Sequence, residues 1–160
     1  MGTKYHRLPR YRYKGRVSAS FTLCVQDRRC LFSEPDVVRS FADFLKEIAE
    51  NRIFNVVFCF MPDHAHLIFM GTSHDSDLIL GVEDFKQLTG HWLGANHPEF
   101  KWQKSFYDRV IRSTEELAAT VRYVLDNPVR AGLVSNWFEY PYTGAIGVDL
   151  KTFLEELAPY

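Results

Sequence analysis

Residues 54–70 read Phe-Asn-Val-Val-Phe-Cys-Phe-Met-Pro-Asp-His-Ala-His-Leu-Ile-Phe-Met, and the fold turns on how this stretch divides. Pro62-Asp63 is a turn-starting pair. It separates two apolar runs, 54–61 and 67–70, each too short for a helix and rich in strand-forming residues. Two buried strands joined by a tight turn are therefore expected. The second opens with His64-Ala65-His66. Side chains alternate between faces along a strand, so the two histidines share a face with Cβ atoms roughly 7 Å apart. Two imidazoles so placed can share one metal ion; a pair of buried, hydrogen-bonded histidines is the competing reading.

Working outward, Val17, Ala19, Phe21, Leu23 and Val25 alternate and predict a strand over 16–25. Ser33-Glu-Pro-Asp36 has the form of a helix start. Val37, Phe41, Phe44, Leu45 and Ile48 give that helix one apolar stripe, ending near Asn51. Beyond a polar loop at 71–77, Val82, Phe85, Leu88 and Trp92 trace a second helix over about 80–93, with Thr89 the one polar lapse. Residues 100–111 suit a strand with an irregularity at Asp108-Arg109.

Ser113-Thr-Glu-Glu116 is a capping box, and Leu117, Val121, Val124 and Leu125 continue a third helix. Pro128 disfavours helical geometry at Asn127, so this helix is expected to end there. Residues 129–160 are expected to wrap the core, with a short helix near 150–157. The order strand, helix, strand, strand, helix, strand, helix contains the split β-α-β pattern of a ferredoxin-like sandwich. The expected class is α+β, an antiparallel sheet with helices on one face.

The chain of 160 residues suits one domain, comprising a basic arm (1–15), the sandwich and the 129–160 wrap. No apolar run approaches the ~20 residues of a membrane span. The start of the chain lacks the apolar stretch of a secretory signal. Three cysteines without CxxC spacing suit a reducing compartment, so a cytoplasmic location is expected. Net charge is −1, which argues against a nucleic-acid binder, but its distribution argues for one. Lys4, Arg7, Arg10, Arg12, Lys14 and Arg16 crowd the first sixteen residues with no acid, interleaved with Tyr5, Tyr11 and Tyr13. Such an arm suits phosphate contacts and base stacking; a solvated tail is the plain alternative.

On the third helix Tyr123 and Asn127 are four apart and so neighbours, on the Thr120 side of the apolar stripe. Asn127 offers a neutral oxygen ligand and Tyr123 a phenol near the same ion. Two histidines and an amide oxygen, with positions left open, suit Mg²⁺ or Mn²⁺ assisting phosphoryl chemistry better than a closed zinc site. The phenol would attack in line and form a phosphotyrosine. Tyr107 is the rival nucleophile. By default Tyr123 is a packing residue and Asn127 a helix cap. His6, His74, His91 and His97 read as surface residues.

Met61-Pro-Asp-His-Ala-His-Leu-Ile68 resembles the histidine-apolar-histidine (HUH) motif of the single-tyrosine transposases. Trp102-Gln103, Tyr107-Asp108-Arg109-Val-Ile-Arg112 and Tyr123-Val-Leu-Asp-Asn-Pro-Val-Arg-Ala-Gly-Leu-Val134 resemble the REP-associated tyrosine transposase branch still more. The likeness spans residues 10–142, with both motifs in order. It implies metal ligands at His64, His66 and Asn127 and a nucleophile at Tyr123. It also implies Mg²⁺ or Mn²⁺ as cofactor. The implied partner is single-stranded DNA carrying a hairpin, either a repetitive extragenic palindrome or an insertion-sequence end, bound by a monomer or homodimer. The enzyme would be an endonuclease and strand transferase leaving a 5′-phosphotyrosine and a 3′-OH. Arg7, Arg10, Arg12, Lys14, Arg16, Lys86, Lys104, Arg109 and Arg112 are the candidate DNA contacts. A non-catalytic hairpin-binding protein is the alternative, and a zinc-water hydrolase a third. Ala65 is smaller than the apolar residue the motif often carries, and the near-neutral charge is the larger departure.

Overall fold

The computed structural model describes residues 7–159; Lys4, Tyr5 and His6 lie outside them. The chain runs β1 (Ser18–Cys24), α1 (Pro35–Arg52), β2 (Phe54–Met61), β3 (His64–Gly71), α2 (Leu78–Asn96), β4 (Tyr107–Ile111), α3 (Thr114–Arg130), β5 (Thr143–Ile146) and α4 (Leu150–Glu156). The strands form one antiparallel sheet in the order β4-β1-β3-β2-β5. This is the expected sandwich with a fifth strand added beside β2. The hairpin forms as read, with Met61 opposite His64 across Pro62-Asp63.

Both faces of the central strands are buried, which is why 54–70 reads as nearly continuous apolar sequence rather than an alternation. On one face Val56, Phe60, Leu67, Phe69, Ala19, Phe21 and Leu23 join α1 and α2 in the larger core. Helix α3 lies across the opposite face. There Val121, Val124 and Leu125 pack on Val57, Cys59, Met61, Ile68 and Met70. The two sandwich helices thus share a face as expected, and α3 departs from that side because the sheet's second face is equally apolar and needs its own cover.

Several expectations give way to tertiary context. Ser33 does not cap α1: Glu34 occupies the N-cap without a side-chain bond, and the Ser33 hydroxyl donates to the Cys30 carbonyl. Helix α2 is longer than its apolar spacing suggested, because the Asp77 carboxylate caps it by accepting from Leu80 N–H at 3.0 Å. Its buried stripe runs through Thr89, whose hydroxyl donates to the Phe85 carbonyl and accepts from Trp102 Nε1, leaving Leu88 exposed. Strand β4 is only five residues, and Asp108 is a regular member of it.

Helix α3 continues through Pro128 to Arg130. Proline removes one N–H, but the turn it sits in stays anchored: Ala131 N–H donates to the Asn127 carbonyl and Leu133 N–H to that of Pro128, with Gly132 at φ +74° closing the end. The 143–146 strand went unread because four residues containing a glycine carry no periodicity. Gly144 is required there, since a Cβ would stand 2.6 Å from the Phe58 ring.

The N-terminal segment is docked from Arg7 onward. Tyr13 is buried and donates its hydroxyl to Asp108, whose side chain also accepts from Arg7 Nε at 2.8 Å. This carboxylate is fully enclosed, so losing its charge leaves the Arg7 cation and the Tyr13 hydroxyl poorly partnered. Asp108→Asn is expected to cost about 2 kcal/mol in urea unfolding; a loss below about 0.5 kcal/mol would show that the segment is not anchored there.

Candidate active site

His64 and His66 project from the sheet face that α3 covers, since they alternate with the core residues Ala65 and Leu67. Each imidazole is held at Nδ1. Asp63 Oδ1 lies 2.6 Å from His64 Nδ1, and Thr22 Oγ1, directly across in register, lies 3.2 Å from His66 Nδ1. With Nδ1–H of each ring donating outward, both Nε2 lone pairs point inward, and the two Nε2 atoms stand 3.1 Å apart. Asn127 closes the third side, its amide donating to His66 Nε2 at 2.5 Å. Half a turn of that amide about its last bond presents Oδ1 at the same place.

This geometry fits a divalent cation. Two donors on adjacent octahedral positions at about 2.1 Å lie about 3.0 Å apart, close to the observed separation. The outward Nδ1 partners are the arrangement that fixes ligand tautomers around metals. Among the described residues no cluster of three His, Cys, Asp or Glu forms, so the remaining ligands would come from Asn127, water and substrate. Cys59 is paired in register with His66, but burial pushes its thiol up to about 11 and keeps it protonated. Burial, followed by the nearby His64, Arg130 and Arg28, pulls His66 down to about 4, so its ring is a neutral donor at neutral pH.

Tyr123 is exposed at 60 % and walls the same cavity as His66, a space of about 410 Å³ between β1, β3 and α3 that Thr22, Arg109 and Thr120 also line. Tyr107, the rival, lies beyond Thr22 in the same register row and does not line that cavity. The Arg130 guanidinium covers the Tyr123 ring at 4.0 Å, donates to the Tyr123 carbonyl at 2.7 Å and pairs with Asp126 at 3.3 Å. Sequence reasoning missed Arg130 because it ended the helix at Asn127; seven residues past Tyr123, it sits on the same helical face once α3 runs on. Asp63 was read only as a turn residue and Thr22 only as a strand residue. The adjacency of Asp63 to His64 was the available signal for the first, and nothing local marks the second. Arg28 supports the arrangement from behind, donating to Asp63 at 2.9 Å and to Cys24 Sγ.

The candidate DNA contacts separate into two groups. Arg7, Arg10, Lys14 and Arg109 lie against Asp108, Glu83, Asp77 and Glu116 at 2.8, 2.6, 3.9 and 2.9 Å. Lys86 is half-buried and donates to the carbonyls of Gln103 and Lys104. It braces the loop before β4 instead of meeting solvent. Arg12, Arg16, Lys104 and Arg112 are exposed. Tyr11 is exposed, with the Arg12 guanidinium 5.7 Å from its ring centroid, whereas Tyr13 is buried. His74 and His91 are at the surface as expected, and His97 sits beside Asp36 and Glu99.

Residues 14–127 match the family described as "Transposase IS200 like". The chain belongs to the IS200-like transposase family. A Haemophilus influenzae protein with the provisional name REP-associated tyrosine transposase is 27 % identical over 135 residues, spanning 77 % of this chain and 76 % of that one. The Escherichia coli REP-associated tyrosine transposase is 28 % identical over 83 residues, or 52 % and 48 % of the two chains. A REP-associated tyrosine transposase solved with a REP hairpin superposes with TM-score 0.73 at 22 % identity, covering 89 % of this chain and 82 % of that one. That likeness establishes a shared fold. Among the described residues, no helix of this transposase-family chain is long and apolar enough to cross a membrane.

The depressed His66 sets a pH dependence. Without metal, the unfolded chain takes up this proton near pH 6.5 and the folded chain only near 4. Stability from the neutral ring is therefore whole above pH 6.5 and is lost as pH falls toward 4, by about 3 kcal/mol at most. Urea unfolding in chelator at pH 7 and pH 4 should show a wild-type loss about 2–3 kcal/mol larger than that of His66→Gln. Equal losses would mean that the ring is not buried as a neutral group.

Proposed function

We propose that this chain is a metal-dependent endonuclease and strand transferase acting on single-stranded DNA beside a hairpin, through a 5′-phosphotyrosine on Tyr123. The observation that carries this reading is the shared cavity: an exposed phenol and His66, whose Nε2 stands 3.1 Å from that of His64, wall one space large enough for a sugar-phosphate unit. Family membership supplies the reaction class. The partner reading draws support from a relative of the same fold having been solved with a REP hairpin.

His64 Nε2, His66 Nε2 and Asn127 Oδ1 would hold Mg²⁺ or Mn²⁺. Bound there, the ion would polarise a non-bridging phosphate oxygen and offset charge as it develops. Asp63 and Thr22 keep both imidazoles in the donor tautomer. Arg130 clamps the Tyr123 ring from its face and its own carbonyl, reducing the freedom the phenol must lose on reaching phosphorus. The Tyr123 oxygen forms the new P–O bond as its proton leaves, and the bond from phosphorus to the 3′ oxygen breaks. That oxygen gains a proton and departs as a free 3′-OH. Rejoining runs the same exchange backwards, with a 3′-OH displacing the phenol. The adduct conserves the energy of the cleaved link, so no external energy source is needed.

Labelled single-stranded oligonucleotides carrying a hairpin, incubated with Mn²⁺, should yield a protein–DNA adduct that survives denaturation. Tyr123→Phe should lower its yield by at least about 10³-fold while hairpin affinity stays within about twofold. A variant that still cleaves removes Tyr123 from the chemistry. A wild-type protein that shifts the hairpin and never forms an adduct is a binding protein instead.

A further inference from the structure

Sorting the cations by partner isolates a surface. Arg12, Arg16 and Arg112 carry no ion pair to a carboxylate among the described residues, and residues 1–6 contain no acid. All three line one groove of about 650 Å³ between the 10–13 turn, the start of β1 and the β4–α3 junction. The hydroxyl residues Ser18, Ser113 and Thr114 line it too, and no Asp or Glu does. Glu116, in the first turn of α3 and outside the lining, is already taken by Arg109 and by the Arg112 backbone N–H. Glu115 is exposed in the first turn of α3 but outside the lining. Three like charges gathered without a counter-charge repel one another in a free protein and match a polyanion. The adjoining start of α3 adds partial positive charge of the same sign.

Resting on the reading of the chain as a hairpin-directed nuclease, we propose that this groove grips the phosphate backbone of the hairpin's paired stem. A single-strand site pairs cations with open aromatic platforms. The one exposed ring here, Tyr11, already faces the Arg12 guanidinium at 5.7 Å, and the remaining polar lining is hydroxyl. Phosphate contacts of this kind set position and register rather than read bases. The groove also fixes a distance. It meets α3 at Thr114 and Leu117, and Tyr123 lies about 9–14 Å further along at ~1.5 Å rise per residue. The stem is held at the start of α3 and the cut strand is presented near its middle.

The test replaces Arg12, Arg16 and Arg112 together by Gln, and in parallel by Lys. It reads the affinity of full-length protein for a hairpin oligonucleotide and for an unstructured strand of equal length, across a salt series. Expected is a hairpin-over-strand preference that falls at least tenfold in the Gln variant, with the salt slope for the hairpin shallower by about 2–3. The Lys variant should recover the slope, which also shows that the substituted surface still folds. The inference is overturned if the Gln variant holds the hairpin within twofold of wild type, or if both DNAs weaken equally, since the groove would then track single strand. A wild-type protein that binds the hairpin but never cuts removes the nuclease reading and leaves this test in force, because affinity is what is measured.

Discussion

Two imidazoles whose Nε2 atoms face each other at 3.1 Å form the constraint on which the site depends. Neighbouring lone pairs at that range repel unless something positive or a proton stands between them. The protein forces the encounter by giving each Nδ1 an outward partner, Asp63 for one ring and Thr22 for the other. Strand geometry puts both rings on one face, and register puts Thr22 opposite His66. The site therefore follows from the hairpin and its pairing with β1, not from a mobile loop.

The same sheet explains why the phenol and the amide arrive where they do. Because β2 and β3 are apolar on both faces, a helix must cover the histidine side, and α3 does so with Val121, Val124 and Leu125. Tyr123 and Asn127 then fall on the flank of that contact, one turn apart, Tyr123 in a cavity shared with His66 and Asn127 bonded to the His66 ring. Continuing α3 past Pro128 brings Arg130 back over the Tyr123 ring. Packing, proline tolerance and the placement of a reactive side chain are linked through one helix. The near-zero net charge is resolved in a similar way. Several of the cations lie on carboxylates, and three that do not, Arg12, Arg16 and Arg112, share one groove.

What the sequence made legible were features written in local periodicity. Strand alternation at Ala19–Val25, the two apolar runs about Pro62-Asp63 and the stripe through Val37–Ile48 sufficed for the sandwich. The shared face of His64 and His66 followed from period two alone. What escaped depended on contacts far apart in sequence. Asp108 looked like a break in a strand until Arg7 and Tyr13, about a hundred residues earlier, partnered it. Thr89 looked like a lapse until Trp102 bonded to it. Pro128 carried a real local penalty, which the Asn127 and Pro128 carbonyls offset by closing the helix onto residues 131–133. A list of basic residues likewise could not tell a free arginine from one lying on Glu83.

The central claim is that the imidazole pair is a metal site adjoining Tyr123. Anomalous diffraction from a crystal grown with Mn²⁺ and a short single-stranded oligonucleotide tests it most directly. The account predicts one Mn²⁺ bonded to Nε2 of both His64 and His66, with Asn127 Oδ1 and a DNA phosphate oxygen completing its coordination and that phosphorus within reach of the Tyr123 hydroxyl. Mn²⁺ bound elsewhere, with the two rings still in direct contact and the phosphate remote from Tyr123, would contradict it.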